Sequence, residues 1–474
     1  MRSLARVGMW LKVVGGLVLF VSAAVVGQEK AAETAAGPAT SGVGLIRNDP
    51  GAFQGYTLLS PLQSKSTFLI DMQGRVVRSW DTDATPSSIA YLLENGNLLR
   101  PSQLANPPFG GRTAGAGGKV QEISWNGELV WDFTYATSTV VPHHDLTRLP
   151  NGNVLMIVEE KKTAEEAIAA GRIPASVEGG ELHADALIEI KPTGKTTGDV
   201  VWAWRLWDHL IQDHDKTKAN FGDVAAHPER VDLNFTVKPG GRGGADWTHF
   251  NSVAHNAELD QIVVSLRNFS EIWIIDHSTS TKEAAGSTGG RAGKGGDLLY
   301  RWGNPQAYRA GTVADRRLFG QHNAHWIPKG LQGAGHLLVY NNGDGRPQGA
   351  YSTVDEIVPP VDARGRYTLT PGGKYGPEST AWSYSAPNPT DFYSFNISGA
   401  MRLPNGNTLI CAGAPGIVFE ITPDKRVVWQ YNLPQWGTGR NGRNVFRALR
   451  FAPDYPGLRG RQLTPGKPLA ELGG

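Results

Sequence analysis

The sequence predicts an all-β chain folded as a six-bladed β-propeller with loop and short helical inserts. Three observations support this fold class: an aromatic-ended strand recurs six times, Asn-Gly turns join several of the strand pairs, and the copies follow one another at intervals of 45 to 100 residues. A sandwich seldom repeats such a module six times, and a β-helix has a much shorter period. A propeller is therefore favoured over both.

The repeated strands also place the turns and the inserts. In LLENGNLLR, LTRLPNGNVLMIV and MRLPNGNTLICAG, each Asn-Gly pair predicts a type I′ hairpin, whose two central residues both need positive φ. Residues 163–169 and 207–218 are predicted to be helical, and the Gly-rich residues 278–296 to form a loop. Such inserts usually rim the ligand channel of a propeller. The aromatic strands are RVVRSW, ELVWDF, DVVWAW, DLLYRW, STAWSY and RVVWQY, which carry Trp80, Trp131, Trp202, Trp204, Trp302, Trp382 and Trp429.

The N-terminus has the layout of a secretory signal, in which basic residues precede the apolar run 13–26. An uncleaved membrane anchor is the alternative, but the run is shorter than the ~20 residues of a spanning helix. The only thiol, Cys411, can form no internal disulfide, which for an exported chain favours a periplasmic or secreted bacterial protein. The predicted organisation is a signal peptide over 1–27, a disordered tail over 28–45, the propeller over 46–455 and a C-terminal tail over 456–474.

Charge and motifs exclude several classes of function. The formal net charge of +2 has no basic block, so a nucleic-acid partner is not expected. The chain has no GxSxG elbow for acyl transfer and no HExxH zinc motif. A metal site assembled from several blades stays open, because ligands on separate loops leave no local spacing to read. A quinone-cofactor dehydrogenase is disfavoured, since its blades usually carry a different Trp repeat and a carboxylate-rich calcium site.

The histidines point to a candidate site. All twelve lie between His143 and His336, several of them in the short segments PHHD, DWTHFNS and GQHNAHW, and the turn NNGDGR ends at Arg346. Imidazole changes charge near neutral pH and guanidinium is a fixed cation, so together they suit a small anion. Alternation along a strand predicts that at most one of His143 and His144 faces a channel. The polar neighbours of His322 argue against burial in the core.

These segments resemble those of a known family, the bacterial aryl-sulfate sulfotransferases. The resemblance covers residues 60–431 and depends on THFNS followed by DQIVVSLRNFSEIWIID, on GQHNAHW, on NNGDGR, and on DFYS followed by LPNGNTLI. Members of this family are six-bladed periplasmic propellers that move a sulfuryl group between phenols without a nucleotide donor. The resemblance therefore implies that His249, His322 and Arg346 face the channel and meet the sulfate.

The residue types suit that reaction. We expect Arg346 to stabilise the SO₃ oxygens, His322 to transfer protons with a pKa of about 6.5, and His249 to orient the sulfate. The expected partners are a phenolic sulfate and a phenol acceptor, with a membrane only if the signal segment stays uncleaved, and neither a metal nor a cofactor is expected. The predicted substrate-binding residues are Asn251, His144, Arg267 and Asn323.

One feature of the family is missing from the chain. The resemblance implies a nucleophilic histidine in the last blade, but no histidine follows His336, and the segment CAGAPGIVFEI offers only Cys411. Three alternatives follow: His322 or His249 is the nucleophile, the group moves directly between two bound phenols, or the protein is a non-catalytic propeller. Such a propeller would bind a sulfated or other anionic ligand, or a protein partner.

Overall fold

The structure is a computed structural model that describes residues 37–108, 115, 117–236, 245–369 and 373–473. The predicted signal peptide and the first part of the predicted tail lie outside these residues. Within the described ranges, no helix has both the length and the apolar character needed to cross a membrane.

Six antiparallel sheets form the six predicted blades. Their order from the innermost strand outward is β27-β2-β3-β4, β5-β6-β7-β8, β9-β10-β11-β12, β15-β16-β17-β18, β19-β20-β21-β22 and β23-β24-β25-β26-β1, called blades 1 to 6 below. In chain order the strands are β1 (Gly44–Asn48), β2 (Tyr56–Pro61), β3 (Ser66–Ile70), β4 (Val76–Asp81), β5 (Tyr91–Leu92), β6 (Leu98–Gln103), β7 (Gly118–Ile123), β8 (Leu129–Thr134), β9 (Val140–Arg148), β10 (Val154–Thr163), β11 (Glu181–Pro192), β12 (Gly198–Arg205), β13 (Leu210–Ile211), β14 (Val231–Asp232), β15 (Phe250–Asn256), β16 (Gln261–Leu266), β17 (Glu271–Asp276), β18 (Tyr300–Trp302), β19 (His322–Trp326), β20 (Leu337–Asn341), β21 (Thr353–Ile357), β22 (Trp382–Tyr384), β23 (Gly399–Arg402), β24 (Thr408–Ala412), β25 (Ile417–Ile421), β26 (Val427–Asn432) and β27 (Val445–Phe451).

The two ends of the described chain close the ring. The C-terminal strand β27 is the innermost strand of blade 1, where it pairs with β2, and β1 is added to the outer edge of blade 6 through β26. Two residues that the sequence analysis assigned to the tails contact the propeller. The backbone of Ala39 exchanges hydrogen bonds with the Gln430 side chain, and Leu469 is fully buried. Blade 1 therefore depends on residues from both ends of the propeller.

Repeated tryptophans join five of the six blades to the next. Trp80 Nε1 donates to Ser124 O of blade 2 at 3.1 Å, and Trp131 Nε1 donates to Thr197 O of blade 3 at 3.1 Å. The same donation to a backbone carbonyl of the following blade is made by Trp204, Trp302 and Trp429. The indole ring fills the space between two sheets while its N–H reaches a partner, so the repeat that predicts the fold also holds the blades together.

The Asn-Gly turns differ from the prediction. Gly96, Gly152 and Gly406 have φ near +85°, whereas the asparagines before them do not have positive φ. Gly96 N donates to Leu93 O, which closes a turn that places only the glycine in the left-handed region. The type I′ prediction is therefore wrong, and the turns have the form of a type I turn followed by a left-handed glycine.

The inserts agree with the prediction in part. Residues 163–169 contain the helix α1 (Ala164–Ala169), which Thr163 and Glu166 cap reciprocally. The helix predicted over 207–218 is wrong: only the 3₁₀ turn Leu206–His209 forms, because His209 is bonded on one ring nitrogen to Asp297 and on the other to a backbone carbonyl. Residues 278–296 form a loop, as predicted, interrupted by the short helix α2 (Thr281–Ala284).

Candidate active site

The innermost strands of three neighbouring blades carry a residue in the left-handed conformation. His144 in β9, His249 directly before β15, and Asn323 in β19 have φ of 54°, 57° and 57°. Such residues are uncommon outside Gly and Asn, and they break the alternation of side chains along a strand. Both rings are buried, and their Nδ1 atoms lie 2.8 Å apart. That at most one of His143 and His144 faces the channel stays a prediction.

Imidazoles from blades 3, 4 and 5 come together at these positions. The ring centroids of His144 and His249 are 4.6 Å apart. Phe446 of β27 lies beside both His144 and His322, with centroid distances of 5.9 and 6.2 Å. His322 is only 1% exposed, so the prediction that its polar neighbours keep it out of the core is wrong. The reason is that Gln321 points inward and donates to backbone carbonyls of blade 4.

Hydrogen bonds fix the proton of His144. Burial opposes charging of His143, but Asp185, whose Oδ1 lies 2.8 Å from His143 Nε2, raises its pKa. Burial, and then the positive charges of its neighbours, lower the pKa of His144 well below the usual value. His143 therefore donates its Nδ1–H to His144, whose own proton lies on Nε2. His144 is an N–H donor in this cluster.

His249 and His322 have the opposite tautomer. His249 Nδ1 lies 2.6 Å from Asp246 Oδ2; although burial opposes ionisation of Asp246, His249 brings the pKa of this carboxyl below its ordinary value. His322 Nδ1 lies 2.7 Å from Asn342 Oδ1, and the Asn342 amide is oriented by donation to two backbone carbonyls before β23. Both rings keep their proton on Nδ1. Among the residues that the structure describes, neither Nε2 atom has a hydrogen-bond partner.

The pKa of His322 differs from the ordinary value of about 6.5 that was expected from the sequence. Burial, and then the positive charge of Arg267, lower the pKa of His322 well below its usual value. The imidazole is therefore neutral near pH 7. This suits a lone-pair donor better than a group that must carry a proton in part of the cycle.

Two arginines lie beside the imidazoles. Arg267, which was predicted from the sequence, lies close enough to His322 for its charge to lower the pKa of that imidazole. Its Nη2 lies 2.7 Å from Asp344 Oδ2. Arg447 of β27 was not predicted; burial opposes its charge, but Asp145 at 3.2 Å outweighs this effect and the pKa of Arg447 is raised. Its sequence signal was the apolar segment NVFRALR, which follows the last tryptophan strand and closes the ring.

Arg346 has a different environment. Its guanidinium lies 4.4 Å from the ring centroid of Tyr351 and 5.1 Å from that of Phe319, and its Nη2 donates to Thr353 Oγ1 at 3.4 Å. Within the described ranges, its contacts do not include the three imidazoles. The role given to Arg346 by the family resemblance stays a prediction.

The two predicted asparagines join blades. Asn251 Nδ2 donates to Gln321 O at 2.7 Å, which links blade 4 to blade 5. Asn323 Oδ1 accepts from Ala400 N at 3.0 Å, which links blade 5 to blade 6. Asn251 Oδ1 is buried and has no hydrogen-bond partner in the described part of the chain, so one acceptor remains for a ligand or a water molecule.

The other three blades supply an apolar surface. Ile89 of blade 2, Phe446 of blade 1 and Ile397 of blade 6 pack as one cluster, which meets the imidazoles through Phe446. Cys411 in blade 6 is buried, and burial raises the pKa of its thiol to about 12. It is therefore a protonated packing residue near pH 7 and cannot replace a nucleophilic histidine.

Comparisons with known proteins identify the family but add little about the site. No curated protein matches the chain. Similar solved structures include a protein of unknown function from Bacteroides caccae (11% identity, 84% of this chain and 98% of that chain, TM-score 0.45). A streptogramin B lyase matches at 10% identity over 86% of this chain and 85% of its own, with a TM-score of 0.38. Virginiamycin B lyase from Staphylococcus aureus matches at 9% identity over 82% and 88%, with a TM-score of 0.35.

The family comparison covers most of the propeller. The sequence model of the arylsulfotransferase (ASST) family matches residues 42–432, from the strand on the outer edge of blade 6 to the last residue of β26. The match includes the three imidazoles and Arg267, and it ends before Arg447. The chain belongs to the arylsulfotransferase family.

Proposed function

We propose that the protein transfers a sulfuryl group from a phenolic sulfate ester to another phenol, without a nucleotide donor. The observation that carries the proposal is the set of three imidazoles with complementary tautomers. His322 leaves Nε2 as a lone pair, the Nε2 of His249 can release and regain a proton, His144 offers an N–H, and Arg267 supplies positive charge beside them. A nucleophile, a proton carrier and anion-binding donors are the groups that this reaction needs.

The sulfate is proposed to bind between His144 and Arg267. A sulfate monoester carries one diffuse negative charge, and its oxygens accept from N–H donors. His144 Nε2–H donates along one direction, whereas Arg267 contributes a positive charge, and its ion pair with Asp344 positions the guanidinium. Negative charge moves onto the leaving phenol oxygen as the S–O bond breaks, so these donors must also act in the transition state.

His322 is the proposed nucleophile. Its Nε2 lone pair forms the N–S bond while the S–O bond to the donor phenol breaks. The released phenolate takes a proton from Nε2 of His249, which begins the cycle as an imidazolium and becomes neutral in this step. In the second half the acceptor phenol returns a proton to His249 and attacks sulfur, and the N–S bond breaks. Asp246 stabilises the imidazolium form of His249, which is present before the first half and again after the second, whereas the ring is neutral between them. Proton transfer is thus given to His249, because His322 stays neutral.

The apolar half of the channel is the proposed seat of the aryl ring. Ile89, Ile397 and Phe446 form one apolar cluster, and Phe446 brings it beside the rings of His144 and His322. An aromatic ring against Phe446 gains offset or edge contacts of about 0.5–1.5 kcal/mol beyond burial of its area. This arrangement would place the phenol oxygen toward the polar half.

The test is transfer from p-nitrophenyl sulfate to phenol, followed by release of p-nitrophenol. We expect His322→Ala to abolish transfer, because it removes the nucleophile, and His249→Ala and Arg267→Ala each to lower kcat on the order of 10²–10³-fold, the usual effect of removing one stabilising donor. His336→Gln is the control, since His336 pairs with Glu356 outside the cluster. Arg346→Ala tests the role implied by the family. Acid-free mapping of N-sulfohistidine to His322 would identify the nucleophile.

Inactivity of the wild-type protein with a broad panel of donors and acceptors would contradict the proposal and favour a propeller that only binds an anionic ligand. Export to the periplasm or beyond is also proposed, from the basic and apolar N-terminal segment. Mass spectrometry of the protein from cell fractions tests it, and a mature N-terminus near Gln28 is the expected result.

A further inference from the structure

Two histidines and a carboxylate meet at the end of blade 4 away from the candidate active site. His255 is the last residue but one of β15, Asp260 lies just before β16, and His277 follows β17. Asp260 Oδ1 lies 3.0 Å from His255 Nε2 and 2.8 Å from His277 Nδ1. One ligand atom from each of the three residues lies within 4.8 Å of the other two. Six residues of strand separate this cluster from His249, which is about 20 Å.

We propose that His255, Asp260 and His277 form a binding site for Zn²⁺. Two imidazole nitrogens and one carboxylate oxygen are a known zinc ligand set, with Zn–N distances of about 2.0–2.1 Å and a fourth position open to water. Such bond lengths separate tetrahedral ligands by about 3.3 Å. The Asp260 oxygen is already near that distance from both nitrogens, so the cluster closes on a metal by small side-chain movements.

A second carboxylate supports the ligand that comes from His277. Coordination through Nδ1 leaves His277 Nε2 as an N–H, and that nitrogen lies 3.0 Å from Glu189 Oε2 of blade 3. Glu189 is held in turn by the side-chain amides of Asn151 and Asn153. Carboxylate–histidine–metal chains of this kind fix the tautomer and the orientation of a zinc ligand.

The surroundings keep the ligands in place and exclude most solvent. The ring of Trp202 lies edge-on to His277 with a centroid distance of 4.8 Å, and the two imidazoles are 5.0 Å apart. The side chains of His255 and His277 are 9% and 11% exposed, whereas Asp260 is 25% exposed, which leaves a path for the metal. Because Glu189 belongs to blade 3 and the other residues to blade 4, a bound metal would join two blades. The proposal is therefore a zinc site that joins two blades, and it is independent of sulfuryl transfer.

The test is zinc uptake by the untagged full-length protein after treatment with a chelator. Equilibrium dialysis with elemental analysis is expected to give one Zn²⁺ per chain, and Co²⁺ is expected to give the intense visible bands of tetrahedral coordination. Asp260→Asn is the first variant, because Asp260 has φ of 54° and Asn tolerates that conformation. We expect Asp260→Asn and His255→Gln to abolish stoichiometric uptake, and Glu189→Gln to weaken it about 10–100-fold.

His336→Gln is the matched control, since His336 Nδ1 lies 2.6 Å from Glu356 Oε1 in a histidine–carboxylate pair with no second histidine. It should bind zinc as the wild type does. Equal Tm values for wild type and Asp260→Asn in chelator establish that the variant is folded, and only the wild type should gain Tm on addition of Zn²⁺. Zinc uptake by Asp260→Asn equal to that of the wild type would overturn the proposal, as would a wild type that takes up none; the cluster is then a hydrogen-bonded His–Asp–His chain.

Discussion

At this site the hydrogen-bond partners of a side chain determine its chemical role more than its residue type does. His144, His249 and His322 are chemically the same, yet His143 makes the first an N–H donor, while Asp246 and Asn342 make the other two lone-pair donors. The chemistry therefore depends on residues that need not touch the substrate.

Asn342 is a positioning residue whose loss tests this argument. Asn342→Ala removes the acceptor from His322 Nδ1, so the ring can take the other tautomer and turn. We expect kcat for aryl-sulfate transfer to fall about 10–100-fold with a smaller change in KM, as for other supporting partners of an active histidine. Asn388→Ala, at an exposed turn, is the control. A change in KM alone would show that Asn342 acts on binding instead.

His325 predicts a dependence of stability on pH. Burial lowers its pKa to about 4, so between about pH 6.5 and pH 4 the unfolded chain binds a proton that the folded protein does not. The contribution of the neutral His325 to the free energy of unfolding is complete above pH 6.5. It is lost as the pH falls toward 4, by up to about 1.4 kcal/mol per pH unit for one group. His325→Gln should therefore reduce the decline of the urea midpoint over this range. His227→Gln, at a residue that is 53% exposed, should leave it unchanged.

At the scale of strands and turns, periodicity predicted the fold but not the local geometry where one residue changes the backbone. Six tryptophan strands were enough to count the blades, because in five of them an indole donates to a backbone carbonyl of the next blade. The burial and pairing of His143 and His144 could not be predicted from alternation, because His144 takes a left-handed φ that no pattern of apolar residues reveals. Arg447 was missed for a related reason: ring closure brings it beside Asp145 from 302 positions away.

Asn323 tests the left-handed position in β19. Asn323→Gly keeps the conformation and loses the hydrogen bond to Ala400 N, at a cost of about 0.5–1.5 kcal/mol. Asn323→Val also forces a β-branched residue to φ of 57°, which adds about 1–3 kcal/mol. The urea midpoint should therefore fall further for Val than for Gly. The reverse order would mean that the backbone relaxes out of the left-handed region.

Trp131 tests the contact between blades. Trp131→Phe keeps an aromatic ring between blades 2 and 3 and removes the indole donor to Thr197 O. Loss of one hydrogen bond and part of the ring should lower stability by about 1–2 kcal/mol, measured as a lower Tm. Trp125→Phe, whose indole packs edge-on against Trp80, is the comparison without that bond. An equal fall in Tm for both variants would assign the effect to ring size alone.

The whole molecule is held together where the two ends of its chain meet. Blade 1 takes its innermost strand from the C-terminus, and that strand also brings Phe446 and Arg447 to the channel. The candidate site is therefore complete only when the ring is closed. The segment after β27 adds a further connection, because Lys467 O accepts from Val76 N and Leu469 N donates to Gly74 O on blade 1.

Leu469 is the side chain that anchors this last segment. It is fully buried in the cluster that contains Trp429 of blade 6 and Met72 of blade 1, whereas Leu472, three residues later, is 44% exposed. Leu469→Ala leaves a cavity where two blades join and should cost about 2–5 kcal/mol, seen as a lower Tm, while Leu472→Ala should stay within about 0.5 kcal/mol of the wild type. Because β27 lies beside the same junction, Leu469→Ala should also lose sulfuryl transfer at a lower temperature than Leu472→Ala. If the two variants lose stability and activity together at the same temperature as the wild type, residues 456–474 contribute nothing to closure of the ring.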